Sequence, residues 1–374
     1  MGIKQKLKIA LEKKLISNQI RKERAHEEYL TIKDIAPDKR EKLTEGEKRE
    51  VAKKWSRAEG GGKTDISFAE LEVFKHFNGF DPRYLGHNLY LPLIARRLNN
   101  YHYTKSFEDK GLFGCCPSEI AAPKCIVRCI DGEYYSNRLE QISRKEAEEL
   151  CLAFGGDLIV KPSRESSGGN KVVKCKAADR VKPGWFEQIV RGYGNDWVAQ
   201  ECITQHGDLA VFNPGSVNTF RITSLYLNGK ATICSSVFRF GNAGSVTDNA
   251  CAGGKMIGVQ EDGKLREFAV NFRAERFYGV NGMDFAKISL PFFPALHERI
   301  LKAHVRDFPL CKFIGWDVCI DKAGRPVVLE VNSSQPGIFI EQICSGPIFG
   351  DRTEEVIEYV SSKEFKYNRG LVNY

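Results

Sequence analysis

Residues 313–337 read FIGWDVCIDKAGRPVVLEVNSSQPG. Two apolar-rich runs, Gly315–Asp321 and Pro326–Val331, flank Lys322-Ala323-Gly324-Arg325, which has the composition of a turn. The stretch is expected to form a β-hairpin. With those four residues as the loop, Asp321 faces Pro326, and counting back sets Asp317 opposite Glu330. Side chains alternate between the faces of a strand, so Glu330 and Asn332 share one face. Two carboxylates and an amide oxygen then converge on one patch, a hard-oxygen set of the kind that holds Mg²⁺ against phosphates. A half-buried hairpin with two unremarkable acids has the same pattern, so the rest of the chain has to decide.

A chain of 374 residues can bury a large core and divide into two or three lobes. Its 42% hydrophobic content and mean hydropathy of -0.35 are those of a soluble globular protein. No apolar run approaches the ~18 residues of a membrane-spanning helix. The opening MGIKQKLKIALEKKL lacks the uninterrupted apolar core of a signal peptide. The expected location is the cytoplasm. The 12 cysteines are scattered without a CxxC pair, which argues against a zinc site and for small buried hydrophobes. Net charge is +8, and residues 1–54 hold 16 Lys/Arg against 10 Asp/Glu, a surplus of 6. A basic arm precedes a nearly balanced body.

In that arm Leu7, Leu11, Leu15 and Ile16 recur at helical spacing within 3–30. Ala36-Pro37-Asp38 breaks the pattern before a second charged segment, 40–57. The arm reads as a solvated charged helix or as a peripheral contact with an anionic membrane surface. Nucleic acid is not expected as a partner, because no recognised motif for it is present. Gly60-Gly61-Gly62 reads as a linker. The expected divisions are a basic helical extension over 1–58, a substrate-side region over 63–145, nucleotide-binding lobes over 146–350, and a C-terminal helix and tail over 351–374.

Within the body, CIVRCI (Cys125–Ile130) reads as a strand closed by Asp131-Gly132, and Ser143 with Glu146 forms the signature of a capping box. The strand DLIVKP delivers Lys161 into a Ser/Gly loop with Ser167, Gly168 and Gly169, whose backbone N–H groups can turn toward an anion. A plain β-turn explains the same glycines, and no GxxxxGK[ST] loop exists. The strand WVAQECI carries Glu201 and Ile203 and can offer backbone groups to an adenine edge and a carboxylate to a ribose. An ordinary core strand has the same look. Two alternating strands, 217–227 and 231–240, carry Arg221 and Arg239 and precede a polar Gly-rich loop over 241–254, of the length and composition of binding loops. Arginines flanking such a loop suit phosphate chemistry, although lone strand arginines commonly form surface ion pairs.

The order strand–Lys, Gly-rich loop, Glu-bearing strand, Arg strands and then Asp…Glu-x-Asn resembles the ATP-grasp superfamily. IVKPSRESSGGNKV and DKAGRPVVLEVNSSQPG are locally similar to D-alanine–D-alanine ligase. QECITQHGDLAVFNPGSVNTFRIT and the DNACAGG loop look more like the sugar-transfer-associated members, relatives of the ligases that attach glutamate to ribosomal protein. The resemblance covers about 80–350 and omits the basic arm. It implies an α+β ATP-grasp fold in which two lobes grip ATP, with two Mg²⁺ ions. Lys161 matches the lysine on the α/β-phosphates, and Lys110, in EDKGLFG, the lysine of the preceding lobe. Ser167, Gly168 and Gly169 match the loop closing over the phosphates, and Glu201 and Ile203 the adenine side. Asp317, Glu330 and Asn332 match the metal ligands. Arg221 and Arg239 are candidates for the γ-phosphate and acyl phosphate. Two features depart from the family: His206 stands where many relatives have a ribose-binding acid, and the DNACAGG loop is foreign to the dipeptide ligases.

The implied function is an ATP- and Mg²⁺-dependent carboxylate–amine ligase working through an acyl phosphate. Its substrates would be a small-molecule or saccharide carboxylate and an amine, a sugar acid or an amino-acid-like compound, in surface polysaccharide synthesis. A phosphotransferase acting on a hydroxyl and a non-catalytic nucleotide-binding module are the alternatives. The intact Asp317, Glu330 and Asn332 set speaks against the module.

Overall fold

The computed structural model describes residues 22, 26, 29–59, 66–115, 118–164, 171–241 and 253–362. Most of the helix expected over 3–30, the glycines at 60–62, the Ser167-Gly168-Gly169 loop, the DNACAGG loop up to residue 252 and the tail beyond 362 lie outside those residues. Contacts divide the chain into two units, 101–272 with 276–336, and 1–100 with 273–275 and 337–374.

The first unit holds two antiparallel sheets. One has six strands: β1 (Cys125–Ile130), β2 (Glu133–Tyr135), β3 (Gln141–Ile142), β4 (Leu158–Pro162), β5 (Val173–Cys175) and β6 (Trp197–Glu201), in spatial order β3-β2-β1-β6-β4-β5. Asp131 and Gly132, at φ 52° and 83°, join β1 to β2 in a two-residue turn with both residues left-handed, the geometry that follows strand twist. The other sheet contains β7 (Thr219–Leu227), β8 (Lys230–Phe240), β9 (Lys255–Val259), β10 (Leu265–Val270) and β11 (Arg276–Phe277). After a small ribbon of β12 (Gly279–Val280) and β13 (Met283–Asp284), it is completed by β14 (Phe313–Ile320) and β15 (Pro326–Asn332), in order β11-β10-β9-β8-β7-β14-β15. Helices beside two antiparallel sheets make this an α+β architecture.

Each sheet buries one face. Val127, Val160, Trp197 and Ala199 of the smaller sheet pack with Ala147 and Cys151 of the Arg144–Ala153 helix and Phe186 of the Trp185–Tyr193 helix. The first of these helices starts with the expected reciprocal cap between Ser143 and Glu146. In the larger sheet Phe220, Ile222, Phe238, Phe240, Ile314, Trp316 and Val318 face the Phe293–Asp307 helix. Each such fully buried aromatic or branched side chain stabilises by about 1.5–3 kcal/mol. Polar groups inside this core are paired in a chain. Trp316 Nε1 donates to Ser224 Oγ at 2.8 Å, Ser224 Oγ meets His304 Nδ1 at 2.7 Å, and His304 Nε2 donates to the Cys311 carbonyl at 2.9 Å.

Odd-numbered residues of β14 and β7 therefore point the other way, which is how the fold presents Asp317 and Arg221 together. The hairpin register departs from the sequence expectation in an instructive way. Ile320, not Asp321, faces Pro326, and the loop is Lys322-Ala323-Gly324 with Gly324 at φ 77°. Asp321 instead accepts from the Ala323 and Arg325 N–H groups and closes the turn. Continued without a break, that register would place Leu329 opposite Asp317. A bulge between the Val318↔Val328 and Asp317↔Glu330 pairs restores Glu330 to that position. One extra residue flips every later side chain to the other face, so the bulge is what turns Glu330 and Asn332 toward Asp317.

The second unit is helical. The Glu45–Ser56 helix begins with a Thr44–Glu47 capping box and buries Trp55, whose Nε1 donates to the Tyr84 carbonyl at 3.1 Å. Its Lys54 and the adjacent Arg57 bind Glu354 of the Thr353–Ser361 helix. Gln342, in the Phe339–Ser345 helix, is bonded to both backbone groups of Leu85. Among the described residues no helix is long and apolar enough to cross a membrane.

Candidate active site

The polar face of β15, β14, β7 and β8 carries a run of charged side chains. Asp317 is the Cα partner of Glu330 on one side and Arg221 on the other. Arg221 grips it with two bonds, Nε to Oδ1 at 2.5 Å and Nη2 to Oδ2 at 3.0 Å. Arg239 Nη2 lies 3.2 Å from Oδ1 and also donates to Thr219 Oγ1 at 2.8 Å. Asp317 is 7% exposed. Burial alone would raise its carboxyl, but the Arg221 and Arg239 guanidiniums outweigh that and hold it at about 2, ionised at any neutral pH.

Two lysines approach from the smaller sheet. Lys161 stands at the end of β4 beside Val198, and Lys110 follows the short turn Lys105–Glu108, its N–H donating to the Ser163 carbonyl at 2.8 Å. That bond ties the Lys110 segment to the residues just after Lys161. Lys110 Nζ reaches Glu330 Oε2 at 3.1 Å. Lys161 is almost wholly buried. Burial first and the neighbouring Lys110 charge second lower its ammonium to about 8, against the pull of Glu330 and Asp317. Two cations and two anions thus act on one another around Glu330, an arrangement ready to exchange partners with an incoming polyanion.

Glu201 ends β6 and is occupied by the backbone of Lys124, whose N–H it accepts at 2.8 Å. Ile203 follows, half-buried, in the connection between the sheets. That connection docks on the hairpin: the His206 N–H donates to the Ile320 carbonyl and the Lys322 N–H to the Thr204 carbonyl, both at 2.9 Å. His206 Nδ1 accepts from the Asp208 N–H and caps the Gly207–Ala210 turn of helix. Ser167, Gly168 and Gly169 lie outside the described residues.

The structure adds three residues that sequence reasoning did not single out. Thr219 fixes the Arg239 guanidinium. Gly315 faces the site, and a Cβ there would stand 3.0 Å from Pro336 Cβ and 3.5 Å from Arg221 Cδ. Glu108, two residues before Lys110, bonds to the segment after Asn332. Only Glu108 carried a signal, its place beside the matched lysine. Thr219 acts across the β7–β8 hairpin and Gly315 through its closeness to Arg221 and Pro336, contacts that no local motif marks.

Asp317, Glu330 and Asn332 suit a magnesium ion. All offer oxygen. Asn332 Nδ2 donates to the Gly315 carbonyl at 3.3 Å, which leaves Oδ1 as the acceptor, and the Glu330 side chain is 29% exposed. Asp317 contributes the lone pairs that the guanidiniums leave. Among the described residues no group of three His, Cys, Asp or Glu gathers elsewhere or here. An ion would therefore take its remaining oxygens from phosphates and water, as Mg²⁺ commonly does.

No curated protein matches the chain. Solved structures that resemble it include a D-cycloserine synthetase, DcsG, at 14% identity and a TM-score of 0.43, covering 71% of this chain and 72% of that one. D-alanyl-alanine synthetase A from Vibrio cholerae aligns at 12% identity and TM-score 0.39, over 72% of this chain and 66% of its own. An L-amino acid ligase from Bacillus licheniformis aligns at 14% and 0.37, over 72% and 49%. The chain thus spans less than two thirds of the length of the last two. The family described as sugar-transfer associated ATP-grasp matches residues 93–358, which include every lysine, arginine, carboxylate and amide of the site. The chain belongs to the sugar-transfer associated ATP-grasp family.

Proposed function

We propose that this protein is an ATP- and Mg²⁺-dependent carboxylate–amine ligase that acts on a sugar acid or amino-acid-like substrate in surface polysaccharide synthesis. The observation that carries the reading is the Lys110–Glu330 pair at 3.1 Å, with Lys161 beside it and the Arg221–Asp317–Arg239 cluster one strand away. A simple surface has no need of two buried lysines facing two acids. Phosphate chemistry does, because its catalysis is mostly positioning and charge stabilisation.

In this reading the residues divide the work. Lys161 and Lys110 bind the phosphate chain of ATP, and Lys110 releases Glu330 as it does so. Glu330, Asn332 and Asp317 would hold magnesium, which would supply positive charge between ATP and the acid substrate. Arg239, fixed by Thr219, stabilises charge on the transferred phosphoryl group. Arg221 keeps Asp317 ionised and correctly turned. A carboxylate oxygen of the substrate attacks the γ-phosphorus and ADP leaves. The amine then attacks the acyl carbon, the C–N bond forms, and inorganic phosphate departs with the acyl oxygen. Residues 1–54, with their surplus of 6 positive charges, serve as a peripheral contact with anionic membrane.

The test is calorimetry of Mg·ATP binding, followed by an ADP-release screen of acid and amine pairs with mass spectrometry of the products. An amide with stoichiometric ADP is expected. A phosphate ester without amide would make the protein a phosphotransferase, and absence of ATP binding would overturn the reading entirely.

A further inference from the structure

The segment that delivers Lys110 carries a carboxylate with no part in the chemistry above. Glu108 Oε1 accepts from the backbone N–H groups of Ser333, at 2.7 Å, and Ser334, at 2.6 Å. Its Oε2 accepts from Ser334 Oγ at 2.9 Å. Ser333 Oγ in turn donates to the Thr104 carbonyl at 2.8 Å. Both serines are buried, and they follow Asn332 directly. The Thr104–Lys110 segment therefore holds the end of β15 on both sides of Asn332. Lys110 takes Glu330 two residues before it, and Glu108 takes the two residues after it.

We infer that Glu108 is a positioning residue of the site: by binding the two N–H groups after Asn332, it directs the Asn332 amide oxygen and keeps Lys110 in register with Glu330. A carboxylate is suited to this because it has acceptor sites only, and three donors here converge on it. Without it two buried N–H groups lose their partner, and the 332–334 segment must turn to find others. Asn332 would turn with it. Groups that orient metal ligands in this way typically contribute about 10–100-fold to metal affinity. The inference rests on the magnesium-facing reading of Glu330 and Asn332.

The alternative is that Glu108 merely pins one loop to another. The two differ in what a substitution changes. Calorimetry of ATP with the full chain, in excess chelator and then across a Mg²⁺ titration, separates them. For Glu108→Ala, metal-free ATP binding should change far less than the Mg²⁺ response, while the thermal midpoint falls with the loss of the partner of two buried N–H groups. The Mg²⁺ concentration that half-maximally tightens ATP binding should rise by about 10–100-fold. Hydrogen exchange at the Ser333 and Ser334 amides should quicken. Glu108→Gln retains Oε1 as acceptor and should recover most of the Mg²⁺ response. Should Glu108→Ala fail to fold, Glu108→Asp, one methylene too short to reach both N–H groups, must show the same selective shift. A Mg²⁺ dependence identical to wild type in a folded variant overturns the inference, as does a matching loss of metal-free ATP binding. A wild-type chain that shows no Mg²⁺-dependent ATP binding overturns the site reading and this inference with it. Wild-type tightening with an unmoved variant overturns the inference alone.

Discussion

Acidification should unlock the core beneath Asp317 through one histidine. His304 is fully buried, with Nε2 on the Cys311 carbonyl and Nδ1 on Ser224 Oγ. A carbonyl only accepts, so Nε2 carries the proton and Nδ1 is the acceptor. Ser224 already receives the Trp316 N–H, which leaves its own proton for Nδ1. The chain of bonds runs in one direction and has no place for a second proton on the ring. Burial is the main cause that lowers the imidazole from 6.5 to about 4, with Lys312 acting the same way against the Cys311 bond. A folded-state value below the unfolded one means that neutral His304 stabilises above pH ~6.5, and that this stability is lost as pH falls toward 4. The loss amounts to about 2 kcal/mol by pH 5 and about 3 kcal/mol by pH 4. The assay is urea unfolding followed by tryptophan fluorescence, for wild type and His304→Gln, from pH 7.5 to 4.5. Wild type should exceed the variant at pH 7.5, and the gap should shrink by about 2 kcal/mol at pH 5. A gap that stays constant across the range would refute the assigned bond directions and the neutral ring.

Glu330→Gln should abolish turnover while the fold survives, a loss of more than tenfold or about 1.4 kcal/mol in barrier; near-normal turnover at saturating Mg²⁺ would remove Glu330 from the site. Lys161→Ala should weaken ATP binding measured by calorimetry and leave thermal stability nearly unchanged, because burial disfavours its ammonium; unchanged affinity would count against the phosphate role. Gly315→Ala should reduce ATP-dependent turnover more than its single methyl suggests, since that methyl would stand 3.0 Å from Pro336 Cβ and force a small shift beside Arg221; wild-type kinetics would show that the face tolerates it. Deleting residues 1–28, which precede the packed Glu45–Ser56 helix, should weaken salt-sensitive sedimentation with anionic liposomes and spare ATP binding, at about 1 kcal/mol per basic residue near the surface; a full chain that ignores such liposomes at low salt would end the membrane reading.

Much of this was legible in one dimension because the information is local. Alternation in 217–227 and 231–240 marks β7 and β8 to within two residues, Asp131-Gly132 marks a turn, and Ser143 with Glu146 marks a helix start. The order of Lys161, Arg221, Arg239, Asp317, Glu330 and Asn332 along the chain is enough to mark the family. Even the Asp317–Glu330 pairing follows from counting along the hairpin, although the count assumes a four-residue loop where the turn has three residues and a bulge makes up the difference.

Tertiary structure decided the rest. The three-residue loop and the bulge near Leu329 act in opposite senses on the register, and the composition of the hairpin does not reveal either one. What selects them is burial. Val328 and Val331 belong to the core cluster and Glu330 does not, and only the bulged register satisfies that pattern while Trp316 and Val318 face the same core. The Arg221–Asp317 grip and the Lys110–Glu330 pair join residues far apart in sequence, so no periodicity announces them. The sequence by itself determined which elements form and which chemical groups they carry. Which groups meet was settled by the sheets, because a strand's neighbours follow from where its apolar face can be buried.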